Sequence, residues 1–209
     1  IRGQKGKEEW IIDNIDFDIS GAAPYTIYLT SALPEITEPL TMDGTTEPDY
    51  VDKPIIVLNG TGAGANVSGL TISSGNSTVR GLVINNFDDS GIELISNGNN
   101  TIAGNYIGID NTGNVGSVGN YNYGIYIYNS PSNIIGGLNP ADRNVISGNR
   151  LYGIWIDDNS DGANSTSAGN QIRGNYIGTN ASGDDKIPYA TDGSPEYQQM
   201  GVSIWDGLN

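Results

Sequence analysis

Aromatic and acidic side chains recur at two positions of a repeated motif, and their types suit ligand binding. The motif is a glycine followed by alternating apolar residues; its copies contain Tyr126, Tyr128, Trp155 and Trp205, with Glu93 at the equivalent place of an earlier copy. If the apolar residues face a core, the residues between them face outward, because side chains alternate along a strand. Flat, rigid rings along a sheet suit the faces of sugar rings. We therefore interpret these five residues as a carbohydrate-binding surface.

A second candidate site is an acidic turn. Asp157, Asn159 and Asp161, followed by Gly162, match the first half of a calcium-binding loop. Oxygen ligands at alternate positions suit Ca²⁺. The twelfth position of the loop is Ala168 instead of a bidentate glutamate, so an ordinary acidic turn is the alternative. Calcium is the one cofactor that the sequence suggests.

The residue types that are missing exclude several kinds of site. The 209-residue chain has no His and no Cys, which excludes Ser-His-Asp and Cys-His catalysis, thiol chemistry and histidine-rich metal sites. Its formal net charge of −15 argues against nucleic acid and anionic membranes as partners, because both attract basic patches. No run of 18 apolar residues occurs, so we predict no membrane insertion. Neutral sugars and cations remain compatible ligands.

A pair of carboxylates for glycoside hydrolysis is not evident. Glu93 and Asp157 fall on the same predicted face, but two repeats and two strand positions apart. Strand geometry places them about 11–12 Å apart, which exceeds the separation even in inverting enzymes. The catalytic residues, and whether the chain is an enzyme at all, stay open at this stage.

Internal repeats predict the architecture. The glycine-initiated block occurs five times. Each of the first four copies is followed by a second block, and these second blocks align in columns once a six-residue insertion at 138–143 is allowed. The block starts are Gly69, Gly91, Gly124, Gly153 and Gly201; the aligned apolar columns are Val79, Ile102, Ile135, Ile172 and Ile84, Ile107, Ile146, Ile177. Stacking such units buries one continuous core that no single unit can bury alone.

The repeat unit of about 22 residues contains three short strand segments with Gly and Asn corners. We predict an all-β, right-handed parallel β-helix, since nearly all parallel crossovers are right-handed. A sandwich of hairpins is the competing interpretation, but it does not explain the aligned columns. Two asparagine columns are interpreted as structural stacks, since stacked amides hydrogen-bond along a β-stack: Asn100, Asn133, Asn170 and Asn105, Asn144, Asn175.

The chain divides at about residue 35. Residues 1–35 lack the repeat and are predicted to be an N-terminal cap or entry segment, while residues 36–209 form the coils. We interpret the chain as a segment of a longer protein whose remainder stacks on the last coil. Long loops leave the stack near residues 109–123, 158–169 and 179–200, and the last of these is the alternative explanation of the aromatic surface, which it would cover.

The phrases NxIxGNxIG, GIxI, NIIGG and RNVISGN resemble the repeats of bacterial secreted and surface β-helix proteins in the pectin-lyase-like superfamily. The resemblance covers roughly residues 36–209 and implies the fold. Members of that superfamily include lyases, polygalacturonases, epimerases and tailspike hydrolases. The polygalacturonase-like signature contains a His that this chain lacks. The epimerase Tyr-Gly is followed by Asp-Pro-His, whereas Tyr123-Gly124 and Tyr152-Gly153 are not.

Calcium-dependent lyases of the same superfamily use acidic residues with a basic residue nearby. Asp157, Asp158 and Arg173 are the nearest equivalents, but no motif fixes them. We therefore expect an extracellular segment of a larger secreted or cell-surface protein that acts as a rigid adhesive or carbohydrate-contacting module. A polysaccharide lyase or glycoside hydrolase with its site on the aromatic and acidic face is the alternative.

Overall fold

The chain forms three parallel β-sheets built from short strands. The structure is a computed structural model that describes residues 12–115, 118–158, 166–188 and 198–205. Within those residues the fold is all-β apart from two single 3₁₀ turns, Gly44–Thr46 and Pro140–Asp142. The arrangement is consistent with a parallel β-solenoid, as the repeats predict.

Each sheet takes one strand from successive passes of the chain. Sheet A contains β1 (Asp13–Asp16), β3 (Leu40–Asp43), β6 (Thr78–Arg80), β9 (Thr101–Ala103), β12 (Ile134–Gly136) and β15 (Gln171–Arg173). Sheet B contains β2 (Tyr25–Tyr28), β4 (Ile56–Asn59), β7 (Leu82–Asn85), β10 (Tyr106–Ile107), β13 (Val145–Ile146) and β16 (Tyr176–Ile177). Sheet C contains β5 (Leu70–Ile72), β8 (Ile92–Ile95), β11 (Tyr123–Tyr128), β14 (Tyr152–Asp157) and β17 (Met200–Trp205).

The pairing register matches the columns read from the sequence. From β3 onward each strand pairs in parallel with the strand three places later, so one pass through sheets A, B and C makes one coil. Val79 lies opposite Ile102, which lies opposite Ile135, and Ile84 lies opposite Ile107 in sheet B. The insertion at 138–143 contains the second 3₁₀ turn and leaves the register intact.

The parallel stack begins earlier than the repeat pattern does. β1 pairs with β3, and β2 pairs with β4, both in parallel. Both strands lie in the segment assigned from sequence to the cap, so this segment contributes the first strand of two sheets. Its capping role and the division at residue 35 stay predictions.

Inward-facing residues of sheet C form part of one continuous core. Ile125 and Ile127 of β11 are fully buried, whereas Tyr126 between them is only partly so. The same positions of β17 are much more open: Val202 is 39% exposed and Ile204 is 64% exposed. β17 is the terminal strand of sheet C among the described residues, so only one neighbouring coil covers its apolar side chains.

Buried asparagines connect the coils at their corners. The side-chain Oδ1 of Asn144 accepts from both the backbone N–H and the side-chain Nδ2 of Asn105, at 2.9 and 3.2 Å. Asn175 accepts in the same way from Asn144. Asn144 Nδ2 also donates to the carbonyl of Ile102 at 2.8 Å. These bonds satisfy backbone groups that a buried corner would otherwise leave unpaired.

The second predicted asparagine column forms the same kind of ladder. Asn100 donates to Asn133, and Asn133 donates to Asn170, through both the backbone N–H and the side-chain amide. A third ladder, which the sequence analysis missed, joins Asn120 to Asn149 at 2.9 Å. Each of these two residues lies four positions before a block-starting glycine, a spacing that would have identified the pair.

Within the described residues, no helix is long and apolar enough to cross a membrane.

The different burial of two equivalent inward positions predicts that the same substitution lowers the free energy of unfolding by different amounts. We expect Ile127→Asp to destabilise the fold by roughly 4 kcal/mol or more, because an unpaired charge is placed in the core. Ile204→Asp should cost less than about 1 kcal/mol, because that side chain is largely exposed. Urea unfolding of the two variants measures the difference. Equal losses would mean that the side chain of Ile204 is covered as fully as that of Ile127.

The ladders predict a large effect of a small polar substitution. Asn144→Ala leaves the backbone N–H and side-chain amide of Asn105, and the carbonyl of Ile102, without this partner. Each unsatisfied buried group costs about 1–3 kcal/mol, so we expect a total loss of roughly 3 kcal/mol. Asn114→Ala, in an exposed turn, is the matched control and should change stability by less than about 0.5 kcal/mol. Similar melting temperatures for both variants would contradict the role of the ladder.

Candidate functional site

Five aromatic side chains lie together on the outer face of sheet C. Tyr126 of β11 lies opposite Trp155 of β14, and their ring centroids are 4.9 Å apart with an interplanar angle of 24°. Tyr123 stacks on Tyr152 at 5.6 Å and 17°, and Tyr128 stacks beside Tyr126 at 6.0 Å. These five residues are called the aromatic platform below.

Trp155 lies at the centre of the aromatic platform. Its ring centroid is 4.7 Å from that of Tyr123 and 6.2 Å from that of Tyr152, in addition to the contact with Tyr126. All five platform residues are partly exposed rather than buried. Rings that hold each other in fixed orientations present a surface with little conformational freedom left to lose on binding.

Tyr123 and Tyr152 belong to the platform because the alternation of side chains breaks at the glycines. Gly124 and Ile125 are both buried, so the residues on either side, Tyr123 and Tyr126, both lie outside the core. A Cβ on Gly124 would lie 2.5 Å from the carbonyl oxygen of Gly153 in the next coil, which explains why this inward position is a glycine. Strict alternation from sequence missed the two tyrosines, although a tyrosine precedes the glycine in both repeats.

Trp205 stands apart from the platform. It pairs with Asp157 in the register of sheet C and is 70% exposed. Within the described residues no ring contact joins it to the platform. Together with Asp157 and Asn170 it lines a separate cavity of about 220 Å³. Its predicted part in carbohydrate binding stays a prediction.

Glu93 lies at one edge of the platform. It is opposite Tyr126 in the neighbouring strand β8, and the Thr71 hydroxyl donates to its Oε2 at 3.1 Å. Partial burial, with a contribution from the charge of Asp89, raises the pKa of the Glu93 carboxyl. Asp89, which the sequence analysis did not single out, accepts from Asn122 Nδ2 at 2.7 Å.

Asp157 lies at another edge of the platform. It is opposite Tyr128, and the Tyr126 hydroxyl donates to its Oδ2 at 3.4 Å. Burial and the nearby Asp157 carboxylate raise the pKa of Tyr126 well above its ordinary value. Burial, Tyr152, Asp89 and Asp157 also raise the pKa of Tyr123. These tyrosines are therefore neutral hydrogen-bonding groups at physiological pH, in a negative local environment.

Glu93 and Asp157 lie too far apart for a hydrolytic pair. The register keeps Glu93 and Asp157 two strands and two positions apart, as the sequence predicts, and the spacing of strands and residues corresponds to about 11–12 Å. Arg173, considered as a base beside Asp157 and Asp158, lies in sheet A instead of sheet C. It lines a different cavity, of about 390 Å³, together with Arg80.

The calcium prediction falls largely outside the structure. Asn159 and Asp161 are not among the described residues. Asp157 is described, and its Oδ1 accepts from the backbone N–H of Asp158 at 2.9 Å. Within residues 12–115, 118–158, 166–188 and 198–205, no three acidic side chains converge as a metal site requires. Calcium binding at the 157–161 turn stays a prediction.

The position of Glu93 predicts that removing its charge stabilises the fold at neutral pH. Because its pKa is raised in the folded state, the folded chain binds a proton more tightly than the unfolded one, so stability falls as pH rises from the unfolded pKa through the folded pKa. Glu93→Gln should raise the melting temperature at neutral pH by at most about 3 °C. The gain should vanish below the unfolded pKa, where both states are protonated. A variant that melts lower at neutral pH would show instead that the carboxylate stabilises the fold.

Comparison of the chain with protein-family models, with curated proteins and with solved structures finds no match. The resemblance to the pectin-lyase-like superfamily stays a prediction from the repeat phrases, with which the three parallel sheets are compatible.

Proposed function

We propose that the chain is a carbohydrate-contacting module whose binding surface is the aromatic platform. The single observation that carries the proposal is the set of mutually stacked, partly exposed rings centred on Trp155. Contiguous apolar surface on a soluble protein usually marks a contact site. Aromatic rings offer large apolar faces at low entropy cost, and tyrosine hydroxyls and indole N–H groups add hydrogen bonds to sugar hydroxyls.

The sheet makes the platform rigid and flat enough for a linear glycan. Neighbouring strands lie about 4.8 Å apart, and alternate residues along a strand lie about 6.6–7 Å apart. The rings of Tyr126, Tyr128 and Trp155 therefore offer stacking positions for two or three consecutive sugars. Carboxylates at the edges, Glu93 and Asp157, supply acceptors for hydroxyl groups.

We place this module in a right-handed parallel β-helix of the pectin-lyase-like type, within a larger secreted or cell-surface protein. The support is the repeat resemblance together with the three parallel sheets of short strands. We further propose that additional coils of the same protein stack on β17. The exposed apolar side chains of Val202 and Ile204 support this, since they occupy positions that are buried in β11.

A polysaccharide lyase or glycoside hydrolase is the second candidate, and one observation favours it. Glu93 is a partly buried carboxyl with a raised pKa beside the rings, which is the kind of group that serves as a general acid. The separation of Glu93 from Asp157, which exceeds that of a hydrolytic pair, makes binding the better-supported function. The binding experiment below separates the two candidate functions if newly formed sugar chain ends are also measured. An enzyme that cleaves the polysaccharide produces such ends, whereas a module that only binds does not.

The binding test is retention of the chain on immobilised neutral polysaccharides, with and without calcium. Trp155→Ala should lower the affinity about tenfold or more, because stacking on the central ring of the platform is lost. The melting temperature should fall by only a few degrees, since the indole is partly exposed.

Tyr28→Ala is the matched control, because Tyr28 is a largely exposed aromatic residue on sheet B, away from the platform. It should leave retention unchanged. If the parent chain binds no polysaccharide and Trp155→Ala causes a large drop in melting temperature, the rings serve packing and the binding proposal is wrong. That result would favour the alternative in which the segment before Met200 lies over the platform.

A further inference from the structure

Building on this proposed function, we infer that the platform recognises a cationic glycan whose sugars carry free amino groups. The inference rests on three features of sheet C: the stacked rings, the carboxylates at their edges, and the location of the chain's own cations. Together they favour an ammonium-bearing sugar over a neutral or an anionic one.

The ring surfaces attract cations. A positive group over the face of Trp or Tyr interacts with the electron-rich ring, most strongly with Trp. Two tyrosines, Tyr123 and Tyr126, lie within 5 Å of Trp155 between ring centroids, so an ammonium group at the solvent-exposed side of one ring lies near its neighbours as well. A neutral hydroxyl gains no comparable attraction from these faces.

Carboxylates lie on two sides of the same rings. Glu93 is opposite Tyr126 in β8, and Asp157 is opposite Tyr128 in β14. Asp89 lies close enough to Glu93 and Tyr123 to raise the pKa of both. Amino groups on successive sugars would meet these acceptors in turn, and a polyanion would be repelled by them.

The arginine–ring contacts among the described residues lie outside the platform. The structure describes six Lys and Arg residues, and none of them is in a strand of sheet C; they are Lys53, Arg80, Arg143, Arg150, Arg173 and Lys186. Two of these arginines lie over tyrosine rings elsewhere: Arg143 is 4.2 Å from the centroid of Tyr176, and Arg150 is 4.3 Å from that of Tyr121. Tyr176 belongs to sheet B, whereas Tyr121 and Arg150 each lie two residues before a strand of sheet C; neither arginine lies over a ring of the platform.

The test compares two oligosaccharides of equal length, a glucosamine oligomer with protonated amines and its fully N-acetylated counterpart. Titration calorimetry measures both affinities at low salt. We expect the free-amine oligomer to bind about tenfold more tightly, from cation–ring and charge interactions. Raising the ionic strength should reduce this preference, because exposed charge interactions are screened.

Variants that each remove one carboxylate charge test which residues cause the preference for the free-amine oligomer. Glu93→Gln and Asp157→Asn keep the side-chain shape, and each should reduce the preference for the free-amine oligomer by roughly threefold, because the free-amine oligomer loses more affinity than the acetylated one. Asp52→Asn is the control, because it changes the net charge by the same amount. The side chain of Asp52 is exposed, and its charge raises the pKa of Tyr106 in sheet B instead of facing the platform.

The outcomes separate this inference from the proposed function. Equal affinity for the two oligomers, or tighter binding of the acetylated one, would overturn the amino-sugar assignment and leave the carbohydrate-contacting role in place. A preference that survives both in the Glu93→Gln, Asp157→Asn double variant and in Trp155→Ala would trace to the overall charge of the chain and overturn the site. If neither oligomer nor any polysaccharide binds, both proposals fail.

Discussion

The stacking of side-chain amides at the buried corners is the interaction on which the rest of the structure depends. A solenoid turns its backbone at every corner, and each turn puts peptide groups inside that neither sheet can pair. Asn105 and Asn144 solve this by donating from both backbone and side chain to the amide of the next coil. Because an amide fits this ladder only when coils are in register, the same bonds that satisfy the corners also align the strands.

The strand register that the corner bonds set also determines which side chains lie on the outer faces of the sheets. Gly124 touches the carbonyl of Gly153 so closely that no Cβ fits between them. This inward contact breaks the alternation and turns Tyr123 outward beside Tyr126. The aromatic platform is thus a consequence of how the core packs, because moving β11 by one residue relative to β14 would bury the rings and expose the isoleucines.

The sequence was sufficient to predict the columns, because each column repeats one residue type at one position of the unit. It was insufficient where a feature occurs once or depends on a break in the pattern. The strands β1 and β2 carry no repeat motif, yet they pair in parallel with β3 and β4. A small second core contains Ile109 and Ile187. It forms because two long loops meet in space, and no repeat predicts such a contact.

In the site, the outward positions of Tyr126, Tyr128 and Trp155 were predictable from alternation. Those of Tyr123 and Tyr152 were not, because they depend on the glycine contact between coils.

The platform's chemistry follows from combining this rigidity with the charge of the chain. A net charge of −15 disfavours anionic ligands on average over the surface, and among the described residues only sheet C holds carboxylates beside stacked rings. Burial raises the pKa of Glu93, which means that its charged form is poorly solvated in the unliganded protein. An ammonium group beside Glu93 would compensate that charge directly, whereas a sugar hydroxyl would do so only in part. The unfavourable solvation of Glu93 therefore supports, beside the stacked rings, the cationic ligand that we propose for this face.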